Sequence, residues 1–289
     1  MWGALLMIVT ALSLQGININ CLERYVEDIK SLVKKHNPRL VVLPAHAATV
    51  LGYATKNITT AVSEPVADYP DNSTEQFWIE QYFELHSKLA RSLDIYLAAG
   101  TLIEEKAGRR YNSAYCFNPA GDICSVQRQT HLTRFEHEAG LCRGEDLEIF
   151  DCDGLKTGLV VGNDARHPEV GRIFGLRDAD LLLHCGAQEG ELTCWSQTAG
   201  MWAQIQQNQF WAVEAQLSAV IDNRAFGGSS AVIGPCEITP GQSGYLARGY
   251  PHSTVVTAEL NEENRRQIKQ DYPLFKLLNP EAYRGSLIL

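Results

Sequence analysis

Leu40-Val41-Val42-Leu43-Pro44-Ala45 is a four-residue apolar run stopped by a proline. Such a run suits a short strand buried on both faces. Pro44 cannot donate to a central ladder, so the strand's carboxyl end falls at residues 44 to 46. A strand with no polar side needs cover above and below. Part of that cover stands just upstream, where Leu22, Tyr25, Val26, Ile29, Leu32 and Val33 recur at helical spacing and give the helix Leu22 to Lys35 one apolar stripe. Further back, Ala4 to Leu14 (ALLMIVTALSL) reads as a buried strand. It is too short to cross a bilayer, lacks a basic flank, and no small-residue cleavage signal follows it.

Downstream the two periodicities alternate. A helix from Glu75 to Ser92 precedes a strand at Ile95 to Ala99 and a polar turn at Glu104 to Arg110. Tyr111 to Phe117 then runs into Asn118-Pro119-Ala120-Gly121-Asp122, a hairpin turn between two strands. Ile149-Phe150 and Lys156 to Val161 read as a strand pair, Glu169 to Leu176 as a helix and Ala179 to Cys185 as a fully buried strand. Trp195 to Gln216 reads as one long helix carrying Trp195, Trp202 and Trp211 along its length. The last strands are Ala219 to Asn223, Ser230 to Ile233 and Ser253 to Leu260. No proline-rich linker, charge block or repeat interrupts this order, which implies one α/β domain over 1–289 with helices outside its sheets. Residues 261–289 read as a C-terminal extension serving subunit contacts.

The 34 acidic and 25 basic residues give a formal charge of −9, which repels phosphate backbones and anionic membrane surfaces. Nucleic acid and membrane are therefore not expected partners. Eight cysteines are scattered without a Cys-x-x-Cys pair, the usage of a cytoplasmic protein with reduced thiols.

Three stretches in order carry a family pattern: Leu40 to Ala45, then Arg128-Gln129-Thr130-His131-Leu132, then Gly162-Asn163-Asp164-Ala165-Arg166-His167-Pro168-Glu169. Asp178 to Leu183 and Gly228 to Pro235 extend it. Together they resemble the nitrilase, or carbon–nitrogen hydrolase, superfamily. Its members carry a glutamate in L-V-V-x-P-E, a lysine in R-K-x-H-L and a cysteine in C-x-D-x-R-x-P-E. The resemblance implies a four-layer α-β-β-α sandwich of two mixed sheets with outer helices, and pairing into a homodimer or larger homo-oligomer through an outer helical face.

It also implies that the three catalytic positions hold Ala45, Gln129 and Gly162. The family reaction needs a thiolate nucleophile, a carboxylate to move the proton and a cation for the oxyanion. None of these three side chains supplies its group. A second family glutamate matches best at Glu138, with Glu136 as the other frame. The resemblance thus points to a pseudoenzyme binding a small ligand or partner protein at Ala45, Gln129, Glu138, Gly162, Asn163 and Cys185. The alternative is an enzyme of changed chemistry, with Glu138 as base or a relocated nucleophile such as Cys185.

Other readings of these residues are structural. Asp164, Arg166 and Glu169 fit a turn and helix start held by side-chain hydrogen bonds, with Pro168 in the opening turn. His184 and Cys185 are strand neighbours and point to opposite faces, which disfavours a dyad. His46, His131 and His167 lack the short spacings of metal ligands, so neither metal nor cofactor is expected.

Overall fold

The structure is a computed structural model that describes residues 6–15, 17, 21–55, 72–191, 193–221, 224–250 and 253–283. In chain order it contains β1 (Leu6–Leu12), α1 (Leu22–His36), β2 (Leu40–Val42), α2 (Ala47–Thr55), α3 (Asn72–Leu93), β3 (Tyr96–Lys106), β4 (Arg109–Phe117) and β5 (Ile123–Arg128). Next come α4 (Arg134–Glu138), β6 (Ile149–Cys152), β7 (Leu155–Val161), α5 (Pro168–Leu176), β8 (Leu181–Gly186) and β9 (Gly190–Glu191). The remainder is α6 (Cys194–Gln197), α7 (Ala203–Asn208), β10 (Trp211–Gln216), β11 (Ser218–Ile221), β12 (Arg224–Gly227), β13 (Ala231–Ile233), β14 (Tyr245–Arg248), β15 (Val255–Asn261) and α8 (Glu262–Asp271).

Two six-stranded mixed sheets result, ordered β15-β1-β2-β3-β4-β5 and β14-β13-β10-β8-β7-β6. Side-chain alternation along β2 sorts the core. Leu40 and Val42 face the second sheet among Val161, Leu183, Trp211 and Val213. Val41 and Leu43 face outward, where Tyr25, Ile29 and Val33 of α1 and Tyr82 and Leu89 of α3 cover them. On the far side Val170 and Phe174 of α5 and Ile205 of α7 cover Val160, Leu182 and Ala212. Three apolar interfaces separating four layers make the α-β-β-α sandwich that the resemblance implies. Each fully buried Leu, Val, Ile or Phe contributes about 1.5–3 kcal/mol.

The long helix expected at Trp195 to Gln216 does not form. Gly200 departs from helical geometry at φ −98° and ψ −138°. Gln209, at φ 58°, then caps α7 in the left-handed conformation, its N–H bonded to the Ile205 carbonyl. Beyond it the chain becomes β10, parallel to β8 and antiparallel to β13, with all six residues buried. Pairing between sheet neighbours overrides a sequence that suits either state. The three tryptophans therefore part company: Trp195 is exposed, Trp202 donates to the Ser243 carbonyl, and Trp211 lies between the sheets.

Within residues 261–289, α8 docks on its own chain. Arg265, fully buried, donates to both Glu262 oxygens, to the Gln209 carbonyl and to Asp180, while Trp211 Nε1 donates to Glu262 at 3.1 Å. Residues 284–289 lie outside the described residues, as do residues 4 and 5 of the expected first strand. Among the described residues no helix is long and apolar enough to cross a membrane.

Under the first sheet, His86 is enclosed by α1 and α3, with Nε2 2.9 Å from the Tyr25 hydroxyl and Nδ1 2.8 Å from the Tyr82 carbonyl. Burial pushes its pKa down to about 4. The unfolded chain takes up that proton near pH 6.5, so the contribution is complete above 6.5 and is lost as pH falls toward 4. We expect this one group to remove about 2 kcal/mol of stability between pH 7 and pH 5, read from urea midpoints, with a smaller change in His86→Gln.

Candidate functional site

The cleft lies where the carboxyl ends of β2 and β7 meet the turn after β5. Pro44 ends β2, and the Ala45 N–H donates to the Gly186 carbonyl at 3.2 Å, tying the first sheet to the second. His46 follows at φ 59°, its N–H held by Thr101 Oγ1 at 2.9 Å. This turn passes so close to Gly100 that a Cβ there would stand 2.2 Å from the Pro44 carbonyl oxygen. Only glycine fits.

Gln129 leaves β5 fully buried. Its Nε2 donates to Glu136 Oε2 at 2.8 Å and to the His131 carbonyl at 2.9 Å, and its Oε1 accepts from Asn112 Nδ2 at 2.7 Å. Glu136 is the third residue of α4 and closes a reciprocal capping box with Thr133. Its Oε2 takes the Thr133 N–H at 2.7 Å and hydroxyl at 2.8 Å, and Asn112 reaches its Oε1 at 3.3 Å.

The expectation at Glu138 is corrected here. Its side chain is 59% exposed and pairs with Arg134 at 2.7 Å, away from the cleft. Two residues along a helix turn the side chain by about 200°, so Glu136 and Glu138 cannot share a face. The signal that selects Glu136 was present in the sequence: Thr133-Arg134-Phe135-Glu136 has the spacing of a capping box.

Gly162 opens a 3₁₀ turn, Gly162–Arg166, directly after β7. It sits at φ +50°, and a Cβ there would meet Gln129 Oε1 at 3.3 Å. Its carbonyl accepts from His184 Nε2 at 3.0 Å, while His184 Nδ1 lies 2.9 Å from Glu214. Asn163 donates to the His131 carbonyl at 3.3 Å. Asp164, fully buried, accepts from the Thr130 N–H and hydroxyl and from the His131 N–H, stitching the β5 turn to the β7 turn. Arg166 donates to Gln188 and lies over the Trp195 ring, 5.0 Å from its centroid.

Two adjoining cavities result. The inner one, about 40 Å³, is lined by Ala45, His46, Glu136, Gly162, Asn163 and Phe226 among others. The outer one, about 250 Å³, shares Gly162 and Asn163 and adds Arg166, His184, Trp195 and Glu214. Ala45, Gln129 and Gly162 are thus brought together, Gln129 backing the wall through its contacts with Glu136. Burial pushes the pKa of His46 down.

Cys185 is a second correction. It points into the core between the sheets, opposite His184, and burial pushes its thiol up to about 12. A buried thiol with no cation beside it stays protonated. Among the described residues no cysteine lines either cavity. Glu214 escaped the sequence analysis because its segment read as helix. A lone acid between Val213 and Ala215 was its only mark.

Two mixed sheets between helices, with a polar cleft at the strand ends, define a nitrilase-like sandwich. The carbon-nitrogen hydrolase family profile matches residues 14–270, and the chain belongs to that family. Omega-amidase NIT2-A of Xenopus laevis is 26% identical over 240 residues, 78% of this chain and 79% of that protein. Omega-amidase NIT2 of Homo sapiens is 26% identical over 215 residues, 68% and 72% of the two chains. Among solved structures, a carbon–nitrogen hydrolase from Helicobacter pylori G27 superposes with a TM-score of 0.78 at 20% identity, covering 98% of this chain and 99% of its own. Saccharomyces cerevisiae Nit3, of branch 10 of the nitrilase superfamily, gives 0.71 at 21% identity, covering 94% and 96%.

Proposed function

We propose that this family member does not run cysteine-dependent carbon–nitrogen hydrolysis and instead binds a small polar ligand in the cleft. The observation that carries the reading is Gly162. By the resemblance it holds the nucleophile's position, and it offers no side chain beside a cleft that, among the described residues, no cysteine lines. Ala45 and Gln129 stand likewise at the positions of the family's glutamate and lysine. Loss of the nucleophile from a comparable triad lowers rates by on the order of 10⁴ to 10⁶, and further losses add little because the groups act together.

The ligand's chemistry follows from the lining. Glu136 and Glu214 accept hydrogen bonds, and Arg166 offers a cation to a carboxylate, whereas Arg224 on the same lining is paired with Glu189 at 2.6 Å. The omega-amidase relatives suggest an ω-amide as the first compound class to try. Exposed Ile173 and Leu176 on α5 support the pairing of two copies through an outer helix.

In a panel of ω-amides, dicarboxylates and nitriles, we expect at least one compound to raise Tm without release of ammonia, and Glu136→Gln to weaken its binding at least tenfold. No shift anywhere in the panel would remove the ligand-binding reading. A second reading, changed chemistry with Glu136 as base, draws on that carboxylate lining the inner cavity. Ammonia release by the purified chain that Glu136→Gln abolishes would establish it.

A further inference from the structure

His46 lies on the inner cavity, while His131 and His167 come together beside it with Glu169. Their rings stack with centroids 4.0 Å apart and planes 15° from parallel. Glu169 Oε1 faces both, 3.2 Å from His131 Nε2 and 3.7 Å from His167 Nδ1. We propose that His131, His167 and Glu169 form a site for a divalent transition metal of the zinc type, beside the cleft.

Distances support coordination. Two ligands bound at about 2.1 Å to a tetrahedral centre stand about 3.4 Å apart, between the two separations found here. The three donor atoms lie within 4.8 Å of one another, and the two rings must rotate out of their near-parallel stack to aim both in-plane lone pairs at one ion. Two imidazoles and one carboxylate are the donors of open zinc sites, in which water or another ligand takes the fourth position.

The outer contacts are those of ligating histidines, whose second nitrogen is characteristically held by a carboxylate or other polar group. His131 Nδ1 lies 2.8 Å from Thr130 Oγ1 and 3.3 Å from the buried Asp164 carboxylate, which leaves Nε2 for a metal. His167 Nε2 is met by the Asn163 side-chain amide at 3.1 Å. Coordination through Nδ1 moves the ring proton to Nε2, and the Asn163 amide, whose NH2 also donates to the His131 carbonyl at 3.3 Å, must then shift away from that new N–H. Side chains 27%, 34% and 53% exposed leave the three open to solvent. The sequence carried half of the signal: His167 and Glu169 have the i, i+2 spacing that the three histidines lack.

The test is Zn²⁺ and Co²⁺ titration of the tag-free, metal-stripped full chain by calorimetry and absorption. We expect one equivalent to bind, with affinity at least 100-fold lower in His167→Ala and in Glu169→Gln and unchanged in His36→Ala, and with Co²⁺ bands free of thiolate charge transfer. Far-UV circular dichroism confirms that each variant folds. No uptake, uptake undiminished in the double variant His167→Ala/Glu169→Gln, or a thiolate charge-transfer band from the free cysteines would overturn the proposal.

Discussion

The triple variant Ala45→Glu, Gln129→Lys, Gly162→Cys is expected to hydrolyse an ω-amide at least about 10⁴-fold faster than the wild-type chain, measured as ammonia release. The structure explains why all three changes belong together. Gly162→Cys alone places a side chain at φ +50°, a left-handed conformation costing roughly 1–2 kcal/mol, and crowds Gln129 Oε1 at 3.3 Å. Gln129→Lys clears that amide and sets a cation against Glu136, now the partner of Gln129 Nε2. Ala45→Glu brings a carboxylate to the same inner cavity. The single variant Gly162→Cys should be inactive and less stable by about the strain energy. A triple variant that folds, reacts with iodoacetamide at its new thiol, yet hydrolyses nothing would refute the assignment of these positions.

Arg265→Ala is expected to lower the unfolding free energy by about 3–5 kcal/mol, because it strands a buried carboxylate. Glu262 is 1% exposed and would keep only Trp211 Nε1 and Arg266, while Asp180 would lose its guanidinium. Urea denaturation at pH 7 measures the loss, and a Tm lower by about 10 °C should accompany it. The paired change Arg265→Met with Glu262→Leu should recover part of it, since hydrophobic replacement of a buried pair is often neutral. A loss below about 1 kcal/mol in Arg265→Ala would mean that α8 is held mainly by Ile268 and the apolar surface around it.

Much of this architecture was legible in the sequence. Leu40 to Leu43 and Leu181 to Leu183 are apolar without break and read as strands covered on both faces. The stripe through Tyr25, Ile29 and Val33 could only be a helix on a sheet, and these three are the buried residues of α1. Trp211 to Gln216 was not legible, because Gln209 takes a left-handed turn that glycine more often marks, and nothing in Trp-Ala-Val-Glu-Ala-Gln excludes a helix. That misreading hid Glu214 from the cleft. At the site, the strand ends located Ala45 and Gly162, but choosing between Glu136 and Glu138 required the Thr133 cap. Cys185 was misplaced because strand alternation sends it opposite His184, and only the second sheet's packing decides which of the two faces the cleft.

The antiparallel pairing of β1 with β15 sets a condition on how the chain matures. Thr10 opposes Thr257 in that ladder, and their hydroxyls meet at 2.9 Å across a sequence separation of 247. Closing a loop that long costs about 5 kcal/mol of chain entropy. At ribosomal rates β1 waits roughly 12 to 50 s for its partner. Throughout that interval one edge of β1 exposes unpaired amides and carbonyls, the surface on which nascent chains aggregate. Chaperone demand during synthesis should therefore concentrate on this strand.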